Sequence, residues 1–285
     1  MRKRLLKWTG AITLALLAIA LIAPQSRYGL IGYLCDERFE DGYPAGYWIV
    51  ALRDRNPDVR EQATICLARI GPAAPQAAPA LIQALDDDVP LIRAKAAFAL
   101  LKTGVRDKSA VPKLIVLLKD ELPLTRLDAS MVLNQMGPEA RDAVPALVEA
   151  IRDQANAIRL YASPVNTRQH AAAALGSIGP EAKSAAPILI QALRDEDRIL
   201  REIAARSLGR MHCAEAVPAL VEAVRADQGL GYWGAISLGE IGPEARSAVP
   251  ILRELLRAPN PPTRTEAANA LRKIDPEAAA KAGLP

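Results

Sequence analysis

One unit recurs along this chain about seven times, and that recurrence constrains the fold more than any other property. Written from Ser177, a complete copy reads SIGPEAKSAAPILIQALRDEDRILREIAARSLGRM. Gly179-Pro180 ends one helix, and Ala185–Leu193 is expected to form a first helix with Pro187 in its opening turn. Arg194–Asp197 then turns the chain, and Ile199–Met211 is expected to form a second helix. A unit of this size cannot bury its own apolar face, so copies must stack and share a core. The expected fold is all-α, an α-solenoid of about seven helix pairs.

Arginine marks the register of the second helix, at Arg60, Arg93, Arg126, Arg168, Arg201 and Arg264. Three residues after each stands Ala63, Ala96, Ala129, Ala171, Ala204 or Ala267, and seven after each stands Leu67, Leu100, Leu133, Leu175, Leu208 or Leu271. Positions three and seven share one helical face, so each second helix buries a stripe of Ala and Leu, the small Ala letting the neighbouring helix come close. First helices carry Pro79, Pro112, Pro145, Pro187, Pro218 and Pro250 near their starts, where the missing N–H has no partner to lose. Gly71, Gly137, Gly179 and Gly242, each followed by Pro, are expected to end second helices in a left-handed cap. Hydrophobic residues make up 51% of the chain but aromatics only 4%, which suits close-packed helices and argues against a β-sandwich.

The pattern Leu-x-Asp-x-x-x-x-x-Arg-x-x-Ala-x-x-x-Leu-x-x-Ile-Gly-Pro resembles the HEAT repeat, in the variety named after the phycobilisome lyases, over about Tyr47 to Ile274. In that family an Asp and an Arg form a hydrogen-bonded ladder between repeats. The resemblance implies this role for Asp54, Asp87, Asp120 and Asp195, each six residues before Arg60, Arg93, Arg126 and Arg201. These arginines would then be structural. The lead-in Tyr47-Trp48 and the ending Ile274-Asp275-Pro276-Glu277 resemble membrane-anchored bacterial HEAT proteins. Bilin lyases share the repeat type, which keeps open an alternative function as a lyase or chaperone-like modification factor for a cofactor-bearing protein.

Residues 1–23 read as a signal-anchor or signal peptide. Trp8 to Ala23 carries no charge, and Arg2, Lys3, Arg4 and Lys7 supply a basic flank. A retained transmembrane helix would place the repeats, membrane-anchored, on the extracytoplasmic side; cleavage near Ala18-Ile19-Ala20 would release them as a secreted or periplasmic chain. The net charge of +4 resides in this segment: setting those four aside leaves as many bases as the 32 acids. The repeats are therefore formally neutral, and no nucleic-acid partner is expected. Residues 24–46 form an aromatic-rich connector, six of the eleven aromatics lying between Tyr28 and Trp48, expected to cap the first repeat. Repeats are expected over 47–274 and a tail over 275–285.

Two departures from the repeat stand out, and such breaks tend to mark function. Roughly nine residues are inserted around Asp153–Pro164, between Arg126 and Arg168, including Ile158, Leu160 and Tyr161. In the sixth repeat Gly231 replaces the marker Arg and Gly234 the Ala, and with Gly229 they spell GxGxxG. A helix, not a strand, precedes these glycines, so a dinucleotide loop is rejected in favour of a loosened helix start lacking its Arg–Asp rung. Positions one, two, five, eight and nine after the marker are expected to line the inner surface. They nominate Phe98, Leu101, Leu127, Met131, His170, Arg206, Tyr232, Trp233 and Ile236 as a partner-binding set. The alternative, that these residues are ordinary core between helices, stays open at this point.

Chemistry is sparse. His170 and His212 are the only histidines, His212-Cys213 is poor ligand spacing, and Cys35, Cys66 and Cys213 show no CxxC pattern. No HExxH, GxSxG or Walker loop occurs. No catalytic, cofactor-binding or metal-binding residue is nominated. The sequence points to a non-catalytic, membrane-tethered scaffold that binds a protein partner outside the cytoplasm.

Overall fold

A computed structural model describes residues 39–157 and 166–284. The expected membrane placement needs correcting: among the described residues no helix is long and apolar enough to cross a bilayer. Residues 1–23, on which that expectation rested, lie outside the described residues, as do Ile158, Leu160 and Tyr161 of the insertion.

Seven helix pairs, each a shorter first helix and a longer second one, are present among the described residues. They are α1 (Ala45–Ala51) with α2 (Pro57–Ile70), α3 (Ala78–Ala84) with α4 (Pro90–Thr103), and α5 (Val111–Leu117) with α6 (Pro123–Met136). Then come α7 (Val144–Arg152) with α8 (Thr167–Ile178), α9 (Ala186–Ala192) with α10 (Arg198–Arg210), α11 (Val217–Ala226) with α12 (Gly231–Ile241), and α13 (Val249–Leu255) with α14 (Pro261–Ile274). A short α15 (Pro276–Lys281) follows. The arrangement is a helical repeat, solenoid-like fold. A boundary between Val105 and Arg106 divides it into two compact units, the first holding α1 to α4 and the second the rest.

Among the described residues the one departure from an all-helical fold is a small antiparallel hairpin, β1 (Phe39–Glu40) with β2 (Tyr43–Pro44). Asp41 and Gly42 form its turn at φ of 51° and 80°, a pair of residue types that tolerates this twist. The hairpin is tied to the first pair. Trp48 Nε1 donates to the Glu40 carbonyl at 3.0 Å, and Gln62 Nε2 donates to the Asp41 carboxylate at 2.8 Å. Tyr43 stacks on Tyr47 at 4.3 Å, with Trp48 edge-on to both.

The register Ala and Leu residues are the core. Ala63, Ala96, Ala129, Ala171, Ala204 and Ala267 are fully buried, as are Leu67, Leu133, Leu175, Leu208 and Leu271. Each such Leu contributes roughly 1.5–3 kcal/mol by leaving water. Proline occupies the first turn of every first helix from α3 to α13 and also opens α2, α4, α6 and α14. The Gly-Pro stops differ from the expected left-handed α cap. Gly71, Gly137, Gly179 and Gly242 take φ of 57° to 83° with ψ of −127° to −145°, a mirror-extended conformation open to glycine alone. That bend leads straight into the 3₁₀ segments Gly137–Ala143, Gly179–Ala185 and Gly242–Ala248.

The ladder is present, and Arg60, Arg126, Arg168 and Arg201 reach forward to the next turn. Arg60 grips Asp87 with Nε at 2.7 Å and Nη2 at 2.9 Å, and Arg168 Nη2 meets Asp195 at 2.6 Å. Each carboxylate also caps its own turn: Asp87 accepts from the Val89 N–H and Asp195 from the Asp197 N–H, both at about 3.0 Å. Two rungs use partners outside the expected spacing. Arg126 Nε donates to Asn156 at 2.7 Å, and Arg201 donates to Asp227 at 2.9 Å.

A second seam joins the later second helices. Gly176 of α8 faces Ser207 of α10, Gly209 faces Ser237 of α12, and Gly239 faces Ala270 of α14. A Cβ on Gly176 would lie 2.8 Å from Ser207 Cα, and one on Gly209 would lie 2.6 Å from Ser237 Cα. The serines fasten the contact, Ser207 Oγ donating to the Ala172 carbonyl and Ser237 Oγ to the Ala205 carbonyl, each at 2.8 Å. Glycine at this position lets the backbones approach closely enough for that bond to form.

The sixth repeat is not a loosened helix start. Gly231 opens a regular α12, and a Cβ there would press on Leu255 and Thr263 at 3.1 and 3.2 Å; one on Gly234 would run into Val224. Close packing, not slack, requires these glycines.

Candidate partner-binding surface

The nominated residues divide between the two units. On α4 of the first, Phe98 is 40% exposed, Leu101 is half-buried, and the Lys102 ammonium lies 5.0 Å over the Phe98 ring. In the second unit Met131, His170, Arg206, Tyr232, Trp233 and Ile236 are all half-buried, each on a second helix. Leu127 is a correction: at 8% exposure it belongs to the core. It stands one residue after its marker, and Gln169, at the same position one repeat on, is fully buried as well. The position is not uniform: Ala94, Leu127 and Gln169 are buried there, while Glu61, Glu202 and Tyr232 keep an open side.

The tightest grouping is around Trp233. The Arg206 guanidinium of α10 sits 5.6 Å over the Trp233 ring of α12, and Tyr232 meets that ring edge-on at 5.0 Å. Ile236 follows Tyr232 by one helical turn on the same side. Burial holds the Arg206 pKa below its ordinary value, Arg210 pushes it the same way, and Glu240 opposes. Among the described residues no carboxylate comes within ion-pair distance of Arg206. The ladder arginines Arg60, Arg168 and Arg201 are each spent on an aspartate. Arg206 is thus a partly desolvated cation held by an aromatic face, a combination favoured at binding surfaces.

Two further groups on these helices are perturbed by burial. Asp128 of α6, 5% exposed, has its pKa pushed up to about 7 by burial, with no hydrogen-bond or ion-pair partner among the described residues. Burial holds His170 below the usual histidine value. Cys66 and Cys213 are poor nucleophiles: burial drives Cys66 up to about 12, reinforced by its hydrogen bond to Asp41, and raises Cys213 beside Glu215. His212 is tied down, its Nδ1 lying 2.6 Å from the Glu240 carbonyl. Among the described residues no three His, Cys, Asp or Glu side chains are grouped to hold a metal.

The sequence nominates Arg206 and Trp233 separately, by position, and does not foresee their pairing. The signal was there, since position five of one repeat and position two of the next lie side by side across the seam.

The family model for HEAT repeats matches residues 47–101, 78–163 and 157–232. No curated protein matches the sequence. Among solved structures, an engineered protein superposes with a TM-score of 0.62 at 22% identity, covering 84% of this chain and 71% of that one. A designed armadillo repeat protein superposes with a TM-score of 0.53 at 18% identity, covering 80% and 99%. The complex of CpcE and CpcF of phycocyanin lyase from Nostoc sp. PCC7120 gives 0.49 at 24% identity, covering 86% and 95%. Matched continuously from residue 47 to residue 232, well over half its length, the chain belongs to the HEAT-repeat family.

Proposed function

We propose that this protein is a non-catalytic HEAT-repeat scaffold that binds a protein partner on the second helices of its residue 106–285 unit, around Trp233. Stacked repeats offer extended surfaces that such proteins use for binding. The observation that carries the reading is the Arg206 guanidinium on the Trp233 ring, half-buried and with no carboxylate in ion-pair reach among the described residues, flanked by Tyr232 and Ile236. A bound segment would cover the aromatic pair and complete the desolvation of Arg206. His170 and Met131 extend the same face toward earlier repeats, and Phe98 with Leu101 gives the first unit a smaller surface of its own.

The test is photo-cross-linking from a reactive residue at Ile236 in the native cell, with and without the Trp233→Ser and Arg206→Glu changes. The reading expects a discrete adduct that both changes abolish while the circular dichroism spectrum stays the same. An adduct pattern indifferent to both changes in a folded protein would overturn it.

A further inference from the structure

The ladder lapses once within the second unit, and a pocket opens there. Between the fifth and sixth repeats two ion pairs close the turns: Arg201 on Asp227 at 2.9 Å and Arg194 on Glu222 at 2.7 Å. One repeat on, both closures are gone. Gly231 and Ala258 occupy the places of the ladder Arg and Asp, so the rung has lost both halves together. Arg225 and Glu254 occupy the places of Arg194 and Glu222, yet no ion pair joins them among the described residues.

The space left measures about 580 Å³, within the range of small-molecule sites. Its floor is apolar, built from Val224, Ile251 and Leu255 with the buried Thr263 beside them. Leu255 and Thr263 are also the groups a Cβ on Gly231 would press against, so a side chain at 231 would project into this space. The rim carries Arg198, Arg225 and Arg257 against a single acid, Glu254. Arg198 is engaged with Glu202 at 2.8 Å. Arg225 and Arg257 are exposed, and their guanidinium groups have no partner among the described residues.

We propose that this gap is a binding site for an apolar group bearing a carboxylate, its chain on the Val224–Ile251–Leu255 floor and its charge between Arg225 and Arg257. The apolar floor favours the chain by removing it from water, and planar guanidinium groups favour a carboxylate by bidentate hydrogen bonding. A free medium-chain acid and the C-terminal residue of a peptide share this chemistry. The site shares no residue with the Trp233 surface, so either can fail without the other.

Calorimetric titration of the full chain with decanoate, and with an acetylated peptide ending in leucine, tests it. The proposal expects at least one of the two acids to bind, and which one binds identifies the source. Decanol and the amidated peptide should bind at least about tenfold more weakly than the matching acids. Arg225→Glu with Arg257→Glu, both at exposed positions, should weaken the acid by a similar factor without moving Tm. Ala258→Asp, which sets a second acid among the groups lining the gap, should also weaken the acid. If neither acid binds, if the uncharged analogues bind equally well, or if the double Arg→Glu variant folds and binds unchanged, the proposal is wrong.

Discussion

Arg201 of α10 holds Asp227, at the end of the following first helix, through Nε at 3.2 Å and Nη2 at 2.9 Å, while its Nη1 donates to the Asp195 carbonyl at 2.8 Å. One guanidinium therefore ties two consecutive turns, the one before its own helix and the one after the next. The planar fork makes this possible; a lysine would offer one nitrogen and hold one turn at a time. The same construction recurs at Arg60 and Arg126, which donate to the Asp54 and Asp120 carbonyls behind them.

Removing one arginine should loosen the stack at that junction. Arg168 is the most buried, with 8% of its side chain exposed, and it serves both Asp195 and the Ile151 carbonyl at 2.8 Å. Arg168→Ala leaves the Ile151 carbonyl without its arginine donor and Asp195 with only the Asp197 N–H, and should cost about 3 kcal/mol in urea denaturation at pH 7. The Asp195 pKa lies below the ordinary carboxylate value; burial, the largest single influence, would raise it, but the hydrogen bonds from Arg168 and the Asp197 N–H and the charges of Arg168 and Arg201 together outweigh burial. A depressed folded pKa means stability fully present above the unfolded value near 3.9 and lost as pH falls through the folded one. The gap between parent and variant should accordingly shrink below pH 4. A gap that stays constant down to the acid transition would remove Asp195 from the account.

Asp128 should behave in the opposite sense. Burial raises its pKa to about 7, so the folded chain keeps a proton that the unfolded chain has released. Stability from this group is greatest below the unfolded value, declines as pH rises from about 4 to about 7, and is level beyond. Asp128→Asn, which is uncharged throughout, should raise stability by about 2 kcal/mol at pH 8 and change it little at pH 4. Thermal melts of both proteins across that range decide the matter; equal gains at both ends would mean that charge burial is not what matters at Asp128.

The repeat was legible because stacking imposes the same demands on every copy. Ala129 and Ala204 must be small, Leu133 and Leu208 must fill the core, and Arg60 must reach the next turn. The two unforeseen rungs fail that regularity for local reasons. The turn before α12 is shorter, so Asp227 stands four residues before Gly231 instead of six, and the insertion moves the acceptor for Arg126 from Asp153 to Asn156. Leu127 was misplaced because hydrophobic pattern alone does not separate a helix edge facing the next repeat from one facing solvent. Gly176, Gly209 and Gly239 each follow a register Leu, and that signal was readable but points to a seam only when the small residue opposite (Ser207, Ser237 or Ala270) is known.

That seam makes an unusual demand at Gly209. Glycine inside an exposed helix is normally worse than alanine by about 1 kcal/mol, so Gly→Ala should stabilise. Here the added methyl would sit 2.6 Å from Ser237 Cα, on a neighbouring backbone that cannot rotate away. Gly209→Ala should instead destabilise by about 2 kcal/mol and weaken the bond from Ser237 to the Ala205 carbonyl. Hydrogen exchange at the α10 and α12 amides would show faster opening on both helices; unchanged protection there would mean that the seam can widen freely.

Asn156 shows why one rung carries an amide where its neighbours carry a carboxylate. It is 3% exposed, accepts from Arg126 Nε at 2.7 Å, and donates through Nδ2 to the Ala150 carbonyl at 3.0 Å. Aspartate would strengthen the first bond by adding charge but lose the second, setting a carboxylate oxygen against a carbonyl oxygen in a buried place. The lost donor and the repulsion outweigh the gain, so Asn156→Asp should cost about 1–2 kcal/mol at neutral pH. Protonation restores an O–H that can donate to the Ala150 carbonyl, so the penalty should fall as the pH is lowered through the titration of the introduced carboxyl group. Urea denaturation at pH 7 and at pH 4 measures both arms. A variant as stable as the parent at pH 7 would mean that the charge on Arg126, not the Ala150 carbonyl, governs the residue at this rung.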